Sequence, residues 1–244
     1  MLKVGLLVNP RAGIGGAVAL KGSDDVYAQA QALGGKPRAD TRVPRTLGIL
    51  GPQAEAWHWY CWGGDMGERY LRDAGIRAEV LGQPAQPPGA ADTQAAVTAM
   101  LNSNIDLLLF AGGDGTARDI LACAGTKVVV LGIPCGVKMH SGVFAITPES
   151  AGELLLSLTR GGLVQSVLRD VRDLDESSLR EGRLEPRYFG ELRVPEPGGY
   201  LQHTKVSGRE SEALVSAEIA ADVSERLQQT QRPVVLGPGS TLLQ

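Results

Sequence analysis

The chain has 244 residues, 43% hydrophobic and 21% charged, with a formal net charge of −3. That length and balance suit one large or two modest domains with a real core, and they exclude a disordered or fibrous chain. No two Lys or Arg residues are adjacent, so nothing points to a polyanion surface, and nucleic acid is not an expected partner.

The opening run, residues 3–8, is short and apolar and stops at Asn9-Pro10. It reads as a buried parallel strand entering a loop, and it is too short for a signal-peptide core. Residues 25–33 form a plausible short helix closed by Gly34-Gly35. Residues 36–54 are rich in Pro, Gly and Arg, with one apolar piece at 47–50. Residues 57–62 are aromatic and strand-like, Gly63-Gly64-Asp65 turns the chain, and a helical segment runs to about residue 74. Residues 78–81 are strand-like, and 83–90 form a Pro-rich loop.

The clearest pattern follows. Asp92 caps a helix over 93–101, and 105–111 is a mostly apolar strand. Gly112-Gly113-Asp114-Gly115-Thr116 is a tight loop, 117–124 a helix and 128–133 another buried strand. Thr147-Pro148-Glu149 opens a helix through 159, with Pro and Glu in the first turn where they are best tolerated. Strands alternating with helices predict an α/β fold with a parallel, Rossmann-like sheet covered on both faces.

The character changes near residue 163, which divides the chain into an α/β nucleotide-binding domain over 1–163 and a smaller, β-rich and incomplete second domain over 164–244. Residues 169–194 are charged and alternating, and 187–193 read as a strand. Asp170, Asp173 and Asp175 read as a solvated edge. A helix over 211–229 and a strand at 234–236 return toward the first domain. They end in Gly237-Pro238-Gly239-Ser240-Thr241, a second small-residue loop.

The loop at Gly112 to Thr116 carries the chemistry. In an open parallel sheet, ligands bind at the carboxyl ends of strands. Glycines let backbone approach a phosphate, and the N–H groups of a helix N-terminus point at it. Asp114 adds a carboxylate and Thr116 a hydroxyl. The loop after the first strand, from Asn9 through Arg11 to Gly16, is neither a dinucleotide fingerprint nor a Walker loop, yet it can cup a phosphate beside Arg11. Lys138 can neutralise charge that develops at a phosphate, and His140 can orient an acceptor. Trp57, Trp59 and Trp62 read as core rather than as base-stacking platforms. Asp65 reads as a surface turn, with a phosphate-bound Mg²⁺ as its other use. His58 and His203 have no partner at ligand spacing, so no transition metal is assigned. Cys61, Cys123 and Cys135 share no C-x-x-C spacing and read as free thiols. With no apolar stretch near ~18 residues, no membrane partner and a cytoplasmic location are expected.

Asn9-Pro10 after the first strand, with Gly112-Gly113-Asp114-Gly115-Thr116 later, resembles the NAD kinase and diacylglycerol kinase superfamily. The segment from Gly132 to Phe144 and the later Gly237-Pro238-Gly239-Ser240-Thr241 are similar to its ATP-NAD kinase branch related to the acetoin-catabolism X protein. The resemblance implies a site between two domains and a phosphotransferase using ATP and Mg²⁺, with NAD or a related metabolite as acceptor. It makes Asp114 the essential aspartate that activates the acceptor hydroxyl. Gly112, Gly113, Gly115 and Thr116 become phosphate contacts. Asn9, Arg11, Lys138, Gly239, Ser240 and Thr241 complete the nucleotide site. Mg²⁺ is carried by the phosphates, with Asp114 the side chain that could touch it. The Asn-Glu pair with which NAD kinases hold the dinucleotide is absent from these 244 residues. That departure favours the alternative, a nucleotide-binding accessory protein without turnover. An oxidoreductase on the same sheet is the weakest reading, because the dinucleotide fingerprint is missing. The short ending suggests a missing terminal portion and, with it, an exposed apolar surface covered in a homo-oligomer.

Overall fold

The computed structural model describes residues 1–14, 27–136, 139–159, 165–174 and 186–196, together with Ala220, Ala221, Val223, Ser224 and Leu227, which are helical. Five strands, β1 (Lys3–Val8), β2 (His58–Cys61), β3 (Ala78–Val80), β4 (Leu107–Gly112) and β5 (Val129–Pro134), run parallel. Two more, β6 (Gln165–Leu174) and β7 (Pro186–Glu196), pair antiparallel, with β7 joining β5 where Val129 meets Arg193. The result is one seven-stranded sheet in the order β3-β2-β1-β4-β5-β7-β6. The expected α/β class and mostly parallel sheet are therefore present. From 164 onward, the two described strands extend the sheet of the first 163 residues.

Every residue of β4 is buried, and all but the first of β1 and of β5. Uninterrupted apolar runs of this kind suit a sheet covered on both faces. On one side α2 (Ala39–Leu50) packs against α6 (Pro148–Thr159) and α3 (Glu68–Asp73). Two further helices, α4 (Ala90–Asn102) and α5 (Asp114–Ala124), pack on each other. Right-handed crossovers put α2 and α3 on the face opposite α4 and α5, because the chain moves one way from β1 to β3 and the other way from β3 to β5; α6 leads into an antiparallel strand, outside that rule, and packs beside α2. The short α1 (Tyr27–Ala32) lies between β1 and α2.

Two sequence expectations change. The Pro-, Gly- and Arg-rich stretch at 36–54 contains α2, whose buried residues Ala39, Arg42, Val43, Thr46, Leu47 and Leu50 recur every three or four positions. The period is hidden because two of them are polar. Each reaches a distant backbone carbonyl: the Arg42 guanidinium donates to that of Pro134, and the Thr46 hydroxyl donates to that of Pro148 at 2.8 Å. Pro44 sits on the exposed side of this helix, where water can serve the carbonyl that its missing N–H leaves open. In α4, Gly89 is the N-cap, and Asp92 acts from three positions later. Its carboxylate accepts the Gly89 N–H at 2.9 Å and the Ala85 N–H at 2.8 Å.

The aromatic strand is core. Trp57, Trp59 and Trp62 are all buried, and the Trp59 indole donates to the Ala54 carbonyl at 2.8 Å. At the sheet centre the rings of Phe110 and Phe144 lie 5.3 Å apart and tilted by 60°, a favourable edge-to-face arrangement. Among the described residues no helix is long and apolar enough to cross a membrane. Phe110 is fully buried, so Phe110→Ala should cost about 3–5 kcal/mol of stability. Urea unfolding of the two chains measures this. A loss below about 1 kcal/mol would mean that Phe144 and its neighbours collapse into the space.

Candidate functional site

The strand order reverses between β1 and β4. Neighbouring parallel strands there send their chains to opposite faces, which opens a crevice at their carboxyl ends. Asn9 leaves β1 and Gly113 leaves β4 at this point. The two exits are tied together: Asn9 Nδ2 donates to Thr116 Oγ1 at 3.0 Å, across 107 residues. Asn9 Oδ1 accepts the Arg11 N–H at 3.0 Å, fixing the first loop as an Asx-turn. Gly13 then passes so close to β5 that an added Cβ would lie 2.1 Å from the Cys135 carbonyl oxygen, at a φ of +78° that favours glycine.

The second loop is tighter than the sequence suggested. Here α5 begins at Asp114, with Gly113 as its N-cap, and the first helical bond runs from the Ala117 N–H to the Gly113 carbonyl at 3.1 Å. The amides of Asp114, Gly115 and Thr116 therefore have no acceptor within the helix. They stand at the positive end of the helix dipole, a ready seat for an anion. At Gly112 a Cβ would lie 2.5 Å from that of Thr116, so only glycine lets the threonine fold back on the strand end. Thr116 is itself buried, and its hydroxyl accepts from Asn9. Gly113 and Gly115 leave the outer edge open: an added Cβ would meet nothing closer than 3.7 Å at the first or 3.8 Å at the second.

Asp114 lies at the centre. Its Oδ2 accepts the His140 N–H at 2.7 Å and its Oδ1 the Ser141 N–H at 3.0 Å. Burial pushes the carboxyl up to about 7, with a smaller push from Asp173, while hydrogen bonds from Ser141 and His140 pull the other way. The residue as a whole keeps some exposed surface. A carboxylate both reachable and near-neutral in pKa suits general base chemistry.

Other expected residues fall in different places. The Arg11 guanidinium lies 4.9 Å from the centroid of the Tyr27 ring. His140 reaches Asp114 through its backbone N–H. Asp65, in the turn before α3, pairs with Arg69 of α3 at 2.5 Å, an exposed contact. Lys138, Gly239, Ser240 and Thr241 lie outside the described residues, as do Asp175 and His203. Among the described residues no group of three metal-ligating side chains is present.

Two participants were not singled out from the sequence. Ser141 was missed because part of its contact with Asp114 is made by a peptide N–H, which every residue but proline has, and nothing in the pattern of its segment shows that it turns back to the carboxyl. Asp173 was read as a solvated edge. It is instead mostly buried, pairs with Arg118 of α5 at 3.3 Å, and places Oδ2 3.8 Å from where a Gly115 Cβ would be. Its alternating strand gave no sign of which neighbour it would meet.

Residues 4–163 match the family described as ATP-NAD kinase N-terminal domain. No curated protein matches the chain. Among solved structures, it is similar to a putative diacylglycerol kinase from Bacillus anthracis str. Sterne, at 18% identity and a TM-score of 0.34. That alignment covers 71% of this chain and 45% of the other, so less than half of that kinase's length is matched.

The raised Asp114 carboxyl has a measurable consequence for stability. It binds its proton more tightly in the folded chain than in the unfolded one, whose carboxyl titrates near ~4. Its favourable contribution is complete below that pH and is lost as pH rises toward about 7. Urea unfolding of the parent and of Asp114→Asn at pH 5 and pH 8 should show a smaller fall in stability across this range for the variant. Equal falls would place the titration elsewhere.

Proposed function

This chain belongs to the ATP-NAD kinase N-terminal domain family, and we propose that it is a phosphotransferase that moves the γ-phosphoryl group of Mg·ATP onto a hydroxyl of NAD or a related metabolite. The observation that carries this reading is the placing of the Asp114 carboxylate. It stands in the first turn of α5, at the mouth of the β1–β4 crevice, held by two backbone N–H groups.

The family match supports kinase chemistry, and the loop supplies its parts. The free amides at the start of α5 and the open edges at Gly113 and Gly115 receive phosphate oxygens. Mg²⁺ offsets charge on the triphosphate when bound, and Asp114 and Asp173 present the carboxylate oxygens that suit this ion. Asp114 accepts the proton of the acceptor hydroxyl. The hydroxyl oxygen bonds to the γ-phosphorus as the bond to the β–γ bridging oxygen breaks, and ADP leaves with that electron pair. Catalysis of this kind comes chiefly from positioning and from charge placed in advance. The acceptor is the finer part of the proposal. NAD follows from the family, while other hydroxyl metabolites fit the same chemistry.

Asp114→Asn keeps the shape of the side chain and removes its basicity. Turnover should fall well beyond tenfold, which is about 1.4 kcal/mol of barrier, with cooperative unfolding retained. Activity within that limit would remove Asp114 from the proton transfer. Mg·ATP should stabilise the parent by about 2.7 kcal/mol at a hundredfold excess over Kd, read as a rise in melting temperature. If ATP, NAD and polyphosphate all leave melting unchanged, the phosphate site is refuted. A shift without product from any acceptor would instead identify a nucleotide-binding accessory protein.

A further inference from the structure

Asp114 is aimed by a loop that is itself fastened to the far edge of the sheet. The loop's Ser141 is 2% exposed and spends its polar groups in two directions. Its peptide N–H donates to Asp114 Oδ1 at 3.0 Å. Its hydroxyl donates to the Arg172 carbonyl at 2.9 Å and accepts the Arg172 N–H at 3.0 Å. Arg172 stands at the irregularity in the β6–β7 register, between Val171 and Arg172. The extra residue there is Phe189 of β7, while β6 is the outermost strand of the described sheet, so its N–H and C=O groups that face away from β7 take partners elsewhere. One residue further, the Gly142 N–H donates to the Asp170 carbonyl at 3.0 Å. The segment then turns to β5, where the Gly132 N–H reaches the Val143 carbonyl and the Ala145 N–H reaches the Gly132 carbonyl, each at 2.9 Å.

We propose that Ser141 is a positioning residue that couples the seating of β6 to the aim of the Asp114 carboxylate. The proposal rests on the phosphotransferase reading of Asp114 and adds a part that the Gly-Gly-Asp-Gly-Thr motif does not contain. The same stretch of β6 also meets α5 through the Asp173–Arg118 pair at 3.3 Å. A displacement of β6 is therefore felt at both the carboxylate and the first turns of the helix. A hydroxyl both donates and accepts, so the one Ser141 oxygen serves the N–H and the carbonyl of Arg172 together. Alanine can do neither, threonine does both, and cysteine does both weakly.

The test compares the parent, Ser141→Ala and Ser141→Thr as full chains. With Mg·ATP and an acceptor, Ser141→Ala should lower kcat by about 10- to 100-fold, the scale expected when a reacting group is misplaced by ~1 Å. Its KM for ATP and its ATP-induced rise in Tm should stay near parental values, and Ser141→Thr should recover most of the rate. Amide hydrogen exchange supplies a second readout. In Ser141→Ala the amides of residues 140 and 141 should exchange about tenfold faster or more, while those of β1 and β4 keep their parental rates. A parental kcat in Ser141→Ala overturns the proposal. So does a joint loss of kcat, ATP affinity and Tm that Ser141→Thr fails to reverse. If Ser141→Ala does not fold, Ser141→Cys replaces it under the same criteria. If the parent phosphorylates no acceptor, the phosphotransferase reading fails by itself, and exchange alone decides the coupling. Acceleration confined to 139–145 and 170–173 sustains it, and uniform acceleration overturns it.

Discussion

Neighbouring parallel strands cannot both send their chains to the same face when they are built outward from the centre of a sheet. This constraint acts between β1 and β4 and organises the rest of the molecule. It splits the loops after Val8 and after Gly112, and it places the N-terminus of α5 at the mouth of the gap. The gap is held by few contacts. Asn9 and Thr116 bridge it with one hydrogen bond, and Gly13 closes it toward Cys135. Because the strands beneath are buried on both sides, these loops rest on a well-packed floor.

A carboxylate in that position is under opposing influences. Burial disfavours its charge. Two backbone N–H groups and the end of a helix favour it. Asp173 adds a second negative group, itself paired with Arg118. The balance leaves the Asp114 carboxyl at about 7, where it can hold or release a proton at neutral pH. The elements that set this balance come from three separated parts of the chain: α5, the loop at 139–142, and β6. The edge strand β6 therefore acts on this carboxyl from outside the motif, although its own sequence looks like an ordinary charged surface.

Residue order alone dictates local features. An apolar run followed by Gly-Gly-Asp-Gly-Thr and a helical pattern dictates strand, turn and helix, because glycine permits the close approach and the apolar period selects the element. The same logic located Asn9 at a strand exit, and it placed α6 from the pairing of Pro148 with Glu149. It failed at α2, where Arg42 and Thr46 occupy buried positions that only distant carbonyls make tolerable. It also failed at Ser141 and Asp173. Tertiary structure alone decided that residues 9 and 116 would touch, that a peptide N–H at 141 would meet the carboxylate, and that Asp173 would lie against Gly115 rather than in water. The reason is physical. Side-chain pattern encodes what one segment wants to bury, whereas the order of strands and the direction of backbone donors depend on how all segments pack together.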